Sequence, residues 1–350
     1  MTKIAFVTDT HHGVRNDNAQ FYEYQGDFFA NIFFPMIQQE GVEKIVHLGD
    51  VVDRRKYVNY LTAQHLRMQF IEPIQDMNIP LDIICGNHDT YYKNTNDVNA
   101  FNEILRGYDN INAYTSAAEV DLYGVKALYI PWIVKDTFEP TVEMIKQSNA
   151  TIALGHLEIA GFTMHAGHVM GQDGLNPSLF DKFDMTCSGH FHHRSRRGNI
   201  HYLGSPYEMS WSDYGNQKGF YIFDTETREM EFFPNPYTMF HRVVFDGVNE
   251  PELDYTAINK KYIKFVVRGS TKQSTIDKYI AQIEKMDPYE IKIVDESVLF
   301  TDETDDITAE ELQDTLTIVA KYVDTLDTAV DKEEVKKKIF DLYRSAMTVE

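Results

Sequence analysis

The tetrapeptide Gly86-Asn87-His88-Asp89 follows a short apolar run at 81–85 and holds three side chains able to do chemistry. The amide oxygen of Asn87 can ligate a metal, His88 can exchange a proton near neutral pH, and Asp89 can hold that imidazole in one tautomer. A lone polar turn is unremarkable, but four other apolar runs end in the same way. Residues 3–7 lead into Asp9-Thr10-His11, and 44–48 into Gly49-Asp50-Val51-Val52-Asp53-Arg54. Residues 151–154 end at Gly155-His156, and 183–187 at Gly189-His190-Phe191-His192.

Apolar runs of this length, bounded by turn residues, read as buried strands. If the five share one sheet, their C-terminal ends share one edge, where open α/β sheets place their sites. The delivered groups are carboxylates, an amide and imidazoles, with no thiolate. Such a mixed oxygen and nitrogen set suits manganese, iron or zinc better than magnesium or calcium, and manganese is the expectation, with magnesium the alternative. One carboxylate from the Gly49-Asp50 turn could bridge two ions about 3.5–4 Å apart, the spacing of two-metal phosphoryl-transfer sites.

The ordered set Asp9-x-His11, Gly49-Asp50-x-x-Asp53-Arg54, Gly86-Asn87-His88-Asp89, Gly155-His156 and Gly189-His190-x-His192 resembles the calcineurin-like metallophosphoesterase superfamily. The resemblance implies one metal held by Asp9, His11, Asp50 and His192, and a second by Asp50, Asn87, His156 and His190. It implies that His88 protonates the leaving oxygen or steadies the transition state, with Asp89 orienting it and Asp53 and Arg54 completing the catalytic set. The implied fold is an α/β layered sandwich with a small α+β cap and a C-terminal helical pair.

The chain has 350 residues, 25% of them charged, with an apolar fraction ordinary for a globular protein. It carries no apolar stretch of about 18 residues and no leader pattern at its start, so neither a membrane span nor a signal peptide is expected, and the location is expected to be cytoplasmic, a host cytoplasm if the chain is phage-encoded. Cys85 and Cys187 sit on expected core strands and read as small buried hydrophobes. A net charge of −21 repels phosphate backbones. The substrate is therefore small, or a local basic patch or a partner subunit supplies positive charge.

From the first residue to about Pro234 strands alternate with helical patterns, giving an expected phosphoesterase domain over 1–235. Helices are expected around Phe28, Ile32 and Met36, over 61–77, and over 98–105; a hairpin joins 119–123 to 125–130 at Gly124. The Gly-rich segment 161–176, with His165 and His168, reads as a loop whose histidines lie outside the ligand set. Pro234-Asn235-Pro236 marks a boundary. A strand at 262–267, a helix at 275–285 and a strand at 290–294 form a small capping module within 236–300. The acidic run 301–306 reads as a linker, and two amphipathic helix patterns follow, one starting at Thr308-x-x-Glu311 and one at Asp331. Their stripes, from Leu312 to Leu326 and from Val335 to Ala346, favour a partner protein over packing on each other.

The superfamily contains phosphatases as well as nucleases, and the metal motifs alone do not separate them. The order of parts resembles its double-strand-break repair nuclease branch, whose C-terminal helices dock on the coiled-coil base of an ABC-type ATPase. Pro131-Trp132, the Gly-His-Phe-His motif and Gly204-Ser205-Pro206 are similar to the T-even phage form of those nucleases. The resemblance implies a DNA substrate, an ATPase partner bound through 301–350 and a homodimer built from helices that could equally pack on their own sheet. Arg194, Arg196 and Arg197 follow the last ligand and are candidate contacts to a DNA backbone, or a solvated turn. In the cellular branch a histidine occupies the position of Asp53, so the exonuclease mode does not transfer automatically. A phosphomonoesterase or protein phosphatase is the alternative. No Walker-type Gly-x-x-x-x-Gly-Lys-Ser/Thr loop occurs, so ATP hydrolysis would come from a partner.

Overall fold

The computed structural model describes residues 2–165, 168–169, 174–269 and 271–296, together with 323, 332, 335, 336 and 338. The expected linker and tail helices beyond 300 lie outside the described residues except at those last five positions. The chain divides into two compact units, Met1–Val298 and Leu299–Glu350, and the first is described here.

Seven strands lead to the middle of the chain: β1 (Lys3–Val7), β2 (Val42–His47), β3 (Leu81–Ile84), β4 (Ile111–Tyr114), β5 (Ala118–Leu122), β6 (Val125–Ile130) and β7 (Ile152–His156). A short antiparallel pair follows, β8 (Thr163–His165) and β9 (His168–Val169), where the sequence suggested only a loop. Then come β10 (Met185–Gly189), β11 (Ser195–Arg197), β12 (Ile200–Tyr202), β13 (Gly219–Asp224) and β14 (Met230–Pro234). The strands β15 (Phe240–Phe245), β16 (Tyr262–Val267) and β17 (Glu290–Asp295) complete the unit.

The ligand-bearing strands do not share one sheet. β1, β2 and β3 run parallel at the centre of a six-stranded sheet ordered β14-β13-β1-β2-β3-β4, whereas β7 and β10 run parallel inside a second, ordered β11-β12-β10-β7-β6-β5. The reason is burial. Both faces of these strands are apolar, so each sheet needs cover on both sides, and the sheets cover each other. Ile4, Phe6, Val46 and Ile84 from the first pack with Tyr129, Leu154 and Cys187 from the second. The outer face of the first sheet is closed by two long helical runs, Ala19–Gln39 and Tyr60–Asp76, each interrupted by a π turn, at Phe29–Phe33 and Arg67–Ile71. Phe28, Phe29, Phe33 and Phe70 are fully buried there. The outer face of the second is closed by Phe138–Gln147 and the segment around Phe180. Cys85 and Cys187 are free and buried, as small apolar residues would be.

After the proline break the chain builds a parallel three-stranded sheet, β15-β16-β17, with the helix Gln273–Glu284 across it and its own core of Val243, Phe265, Tyr279 and Ile283. Its first strand was not expected from the sequence, because His241 and Arg242 interrupt the apolar run. Buried Glu208 accepts from the amides of Met239 and Phe240 and so ties the start of β15 to the phosphoesterase layers.

Candidate metal centre

Both sheets point the C-terminal ends of their central strands to one rim. Asp9 and His11 follow β1, Asp50 and Asp53 follow β2, Asn87, His88 and Asp89 follow β3, His156 closes β7, and His190 and His192 follow β10. The turns are sharp: Asp9, His11, Asp50 and His190 all adopt positive φ, a conformation non-glycine residues keep only where the surroundings enforce it. Two glycines allow the strands to approach so closely. A Cβ on Gly49 would lie 2.5 Å from His156 Nδ1, and one on Gly86 would lie 2.2 Å from Asp50 Oδ1.

The side chains converge in two groups sharing Asp50. In the first, His156 Nδ1 lies 2.8 Å from the Leu48 carbonyl. A carbonyl only accepts, so Nδ1 donates the proton, and a neutral His156 turns its Nε2 lone pair toward Asp50 Oδ2 at 3.2 Å and Asn87 Oδ1 at 3.0 Å. Asn87 Oδ1 also stands 3.0 Å from His190 Nδ1. In the second group, His11 Nε2 faces His192 Nε2 at 3.2 Å, Asp50 Oδ2 at 3.6 Å and Asp9 Oδ1 at 3.9 Å. His11 Nδ1 is turned to the Asp53 carboxylate, 3.4 Å away, the carboxylate–histidine arrangement that orients a metal-ligating imidazole.

Acceptors aimed at one another repel unless a cation or a proton lies between them. Among the described residues, no lysine or arginine pairs with Asp9, Asp50 or Asp89, so the protein does not neutralise the rim with its own cations. In the metal-free protein protons take that place. Burial alone would lower His11, but facing Asp53, Asp50 and Asp9 carries it up to about 9. The same opposition of burial and the Asp50 charge sets His156 at about 9. Burial works against ionised Asp50 as well, yet its histidine neighbours hold it well below the usual carboxylate range. His190, pushed down to about 3 chiefly by burial, and His192, also lowered, present neutral nitrogens. The donor set therefore fits divalent cations of the manganese, iron or zinc type.

The catalytic candidates separate into different roles. His88 Nδ1 contacts the main-chain carbonyl of Asp53, and its ring stands edge-on to His11 at 4.8 Å. Asp89 does not orient it. Both Asp89 oxygens are taken by main-chain amides, those of Gly86, Asp50, Val51 and Val52 at 2.8–3.2 Å, because a carboxylate buried between two turns is best satisfied by their unpaired N–H groups. Arg54 is engaged by a neighbouring turn: its guanidinium pairs with Asp17 at 2.7 Å and donates to Asn16 and Tyr57. Arg194 lies over the Phe232 ring, 3.4 Å from its centroid, and donates to the Tyr221 hydroxyl, while Arg196 and Arg197 belong to edge strand β11 and are exposed.

Sequence reasoning missed three contributors. Thr8 donates to Asp9 Oδ2 at 2.7 Å, the Trp132 ring lies 4.9 Å from that of His190, and Lys218 reaches beneath His192. Only Trp132 carried a signal, as part of the Pro131-Trp132 pair just after β6 on which the resemblance partly rests.

With this geometry in view, the calcineurin-like phosphoesterase family matches residues 2–194. "Exonuclease subunit 1" of Enterobacteria phage T4 is 30% identical over 334 residues, covering 95% of each chain. "DNA double-strand break repair protein Mre11" of Sulfurisphaera tokodaii is 26% identical over 201 residues, covering 55% of this chain and 49% of that one. A subunit of the SbcCD nuclease from Staphylococcus epidermidis is 23% identical over 263 residues, covering 65% and 67%. Among the described residues no helix is long and apolar enough to cross a membrane.

Proposed function

Because this chain belongs to the calcineurin-like phosphoesterase family, whose members are metal-dependent, we propose that it is the nuclease subunit of a DNA recombination and repair complex, cleaving phosphodiester bonds at a two-metal centre. The observation that carries the reading is the convergence of Asp9, His11, Asp50, Asn87, His156, His190 and His192 on one rim where, among the described residues, no lysine or arginine pairs with the carboxylates. Asp9, His11, Asp50 and His192 would hold one ion and Asp50, Asn87, His156 and His190 the other, manganese being the best match. Bound there, the cations would bind phosphate oxygens, offset charge in the transition state and make water a competent nucleophile.

The protein's own groups divide the remaining work. Asp53 faces both rings: its carboxylate lies 3.4 Å from His11 Nδ1 and its carbonyl is bonded to His88 Nδ1. With Nδ1–H committed to that carbonyl, His88 in its doubly protonated form would give the Nε2 proton to the leaving oxygen and be left as the neutral Nδ1–H tautomer, a contribution of about 10²–10⁴-fold. Asp89 holds the Asp50 and Asn87 turns in register through four amides. DNA as substrate rests on the nuclease relatives. Two of these are named as subunits, which supports a partner subunit here. An ABC-type coiled-coil ATPase gripping 301–350 would also supply the DNA affinity that a chain of net charge −21 lacks.

With manganese, a linear single-stranded oligonucleotide should be cleaved and a small aryl phosphate monoester should not compete well. Hydrolysis of the monoester alone would overturn the nuclease reading in favour of a phosphomonoesterase. Removing residues 308–350 should abolish co-purification with the ATPase and leave manganese binding intact.

A further inference from the structure

Behind the rim lies a buried ion pair that the ligand motifs do not include. Lys218, 2% exposed, ends at the start of β13 with its ammonium directed under the last ligand turn. Its Nζ donates to the main-chain carbonyl of His192 at 2.7 Å, to Ser205 Oγ at 3.0 Å and to Asp213 Oδ1 at 2.6 Å. All three ammonium protons are thereby used. Asp213, fully buried, accepts on its other oxygen from the amides of Met209 and Ser210, both at 2.9 Å. The His192 carbonyl also receives the Ser205 amide at 3.1 Å. A charged pair placed here bears a desolvation cost that a methionine and an apolar partner would avoid, so packing alone does not account for it.

We propose that Lys218 is a positioning residue for His192, using its Asp213-neutralised ammonium to pin the main chain of the last ligand turn so that the imidazole meets His11 and Asp9. This rests on the two-metal reading above and adds to it a specific dependence. The two proposed ion positions share Asp50, but only one includes His192. The other is framed by Asn87, His156 and His190, whose contacts run to Leu48 and to the Asp9 carboxylate, which accepts the His190 amide. Losing Lys218 therefore weakens one ion and spares the other, which a general loss of stability does not do.

The test is a calorimetric manganese titration of the full chain, wild type against Lys218→Met, with a thermal melt of each. Lys44→Met is the matched control, since Lys44 makes an ion pair of 2.7 Å with fully buried Asp82 away from the ligand turns. We expect the wild type to bind two ions and Lys218→Met to bind one of them at least about tenfold more weakly, the range found when groups supporting a metal ligand are removed. The second ion should keep its affinity, Lys218→Arg should recover part of the loss, and Lys44→Met should lower the melting temperature with both ions bound as in wild type. If Lys218→Met does not fold, Asp213→Asn, which keeps the side-chain shape and removes the counter-charge, is read the same way. Unchanged binding in a folded variant overturns this proposal alone, as does an equal loss at both ions. A wild type that binds no manganese overturns the metal reading and this proposal with it.

Discussion

Strand β3 carries a buried carboxylate near each end, and the two are treated oppositely. Asp82, at the start of the strand, receives the Lys44 ammonium at 2.7 Å, the Tyr129 hydroxyl at 2.8 Å and the Asn112 amide at 3.1 Å. Its charge is cancelled inside the fold, and the group is structural. Asp89, just past the other end, is also fully satisfied, but by four amides that carry no net charge. Its neighbours Asp50 and Asp9 face histidines instead of lysines. Burial, followed by repulsion from Asp50, pushes Asp89 up to about 7. One end of the strand is electrically closed, while the other is left open for ions supplied from outside. Buried polarity by itself therefore does not mark a site; buried negative charge lacking a protein cation does.

This contrast can be attacked first at its strongest point. Asp50→Asn removes the carboxylate that both proposed ion positions share, and manganese-dependent cleavage should fall by more than about 10⁴-fold, beyond what loss of a single general acid causes; comparable activity in a cleavage assay would break the comparison outright. His88→Ala should cost about 10²–10⁴-fold in turnover with manganese binding unchanged by calorimetry, separating proton transfer from ion binding at the open end. At the closed end, Lys44→Met strands Asp82 and should cost roughly 3–5 kcal/mol in a denaturant melt, with the per-molecule rate of the folded fraction unaltered.

A proton-linkage measurement sharpens the same point. His11 and His156 are both raised to about 9 in the metal-free protein, so they are protonated below that value and an incoming cation must displace those protons. Manganese affinity should rise as pH increases from 6 toward 9, by roughly tenfold per pH unit for each proton released, and then level off. Titrations in buffers of different ionisation enthalpy count the protons; a pH-independent affinity would show that the cations do not bind where those histidines face Asp50. The smallest effect is expected from Tyr129→Phe, which removes one of several donors to Asp82 and should cost about 1 kcal/mol of stability with no change in metal binding.

The parts of the site that could be read from the chain were those encoded contiguously. Each ligand sits within a few residues of an apolar run, because a strand end needs a turn and the turn can carry the functional group. The supporting contacts were not readable. Asp53 is adjacent to Arg54 in sequence, yet it serves His11 and His88, while Arg54 serves Asp17 on another turn. Lys218 stands 26 positions from His192 with no motif around it. Adjacency in the chain suggests that Asp89 orients His88, whereas its oxygens point back to amides of the Asp50 turn.

What the amino-acid order alone determined is the inventory: strands from continuous apolar runs, turns from glycine and aspartate, and a ligand set of oxygen and imidazole nitrogen in five clusters. Those are local properties, set by side-chain chemistry and short-range backbone preference. Only the tertiary structure decided that the clusters come from two facing sheets instead of one, that Asp89 ties the Asp50 turn to the Gly86 turn, and which charges are cancelled within the fold. These depend on distances between segments far apart in the chain, and electrostatic balance is a property of the assembled rim that no single stretch of sequence contains.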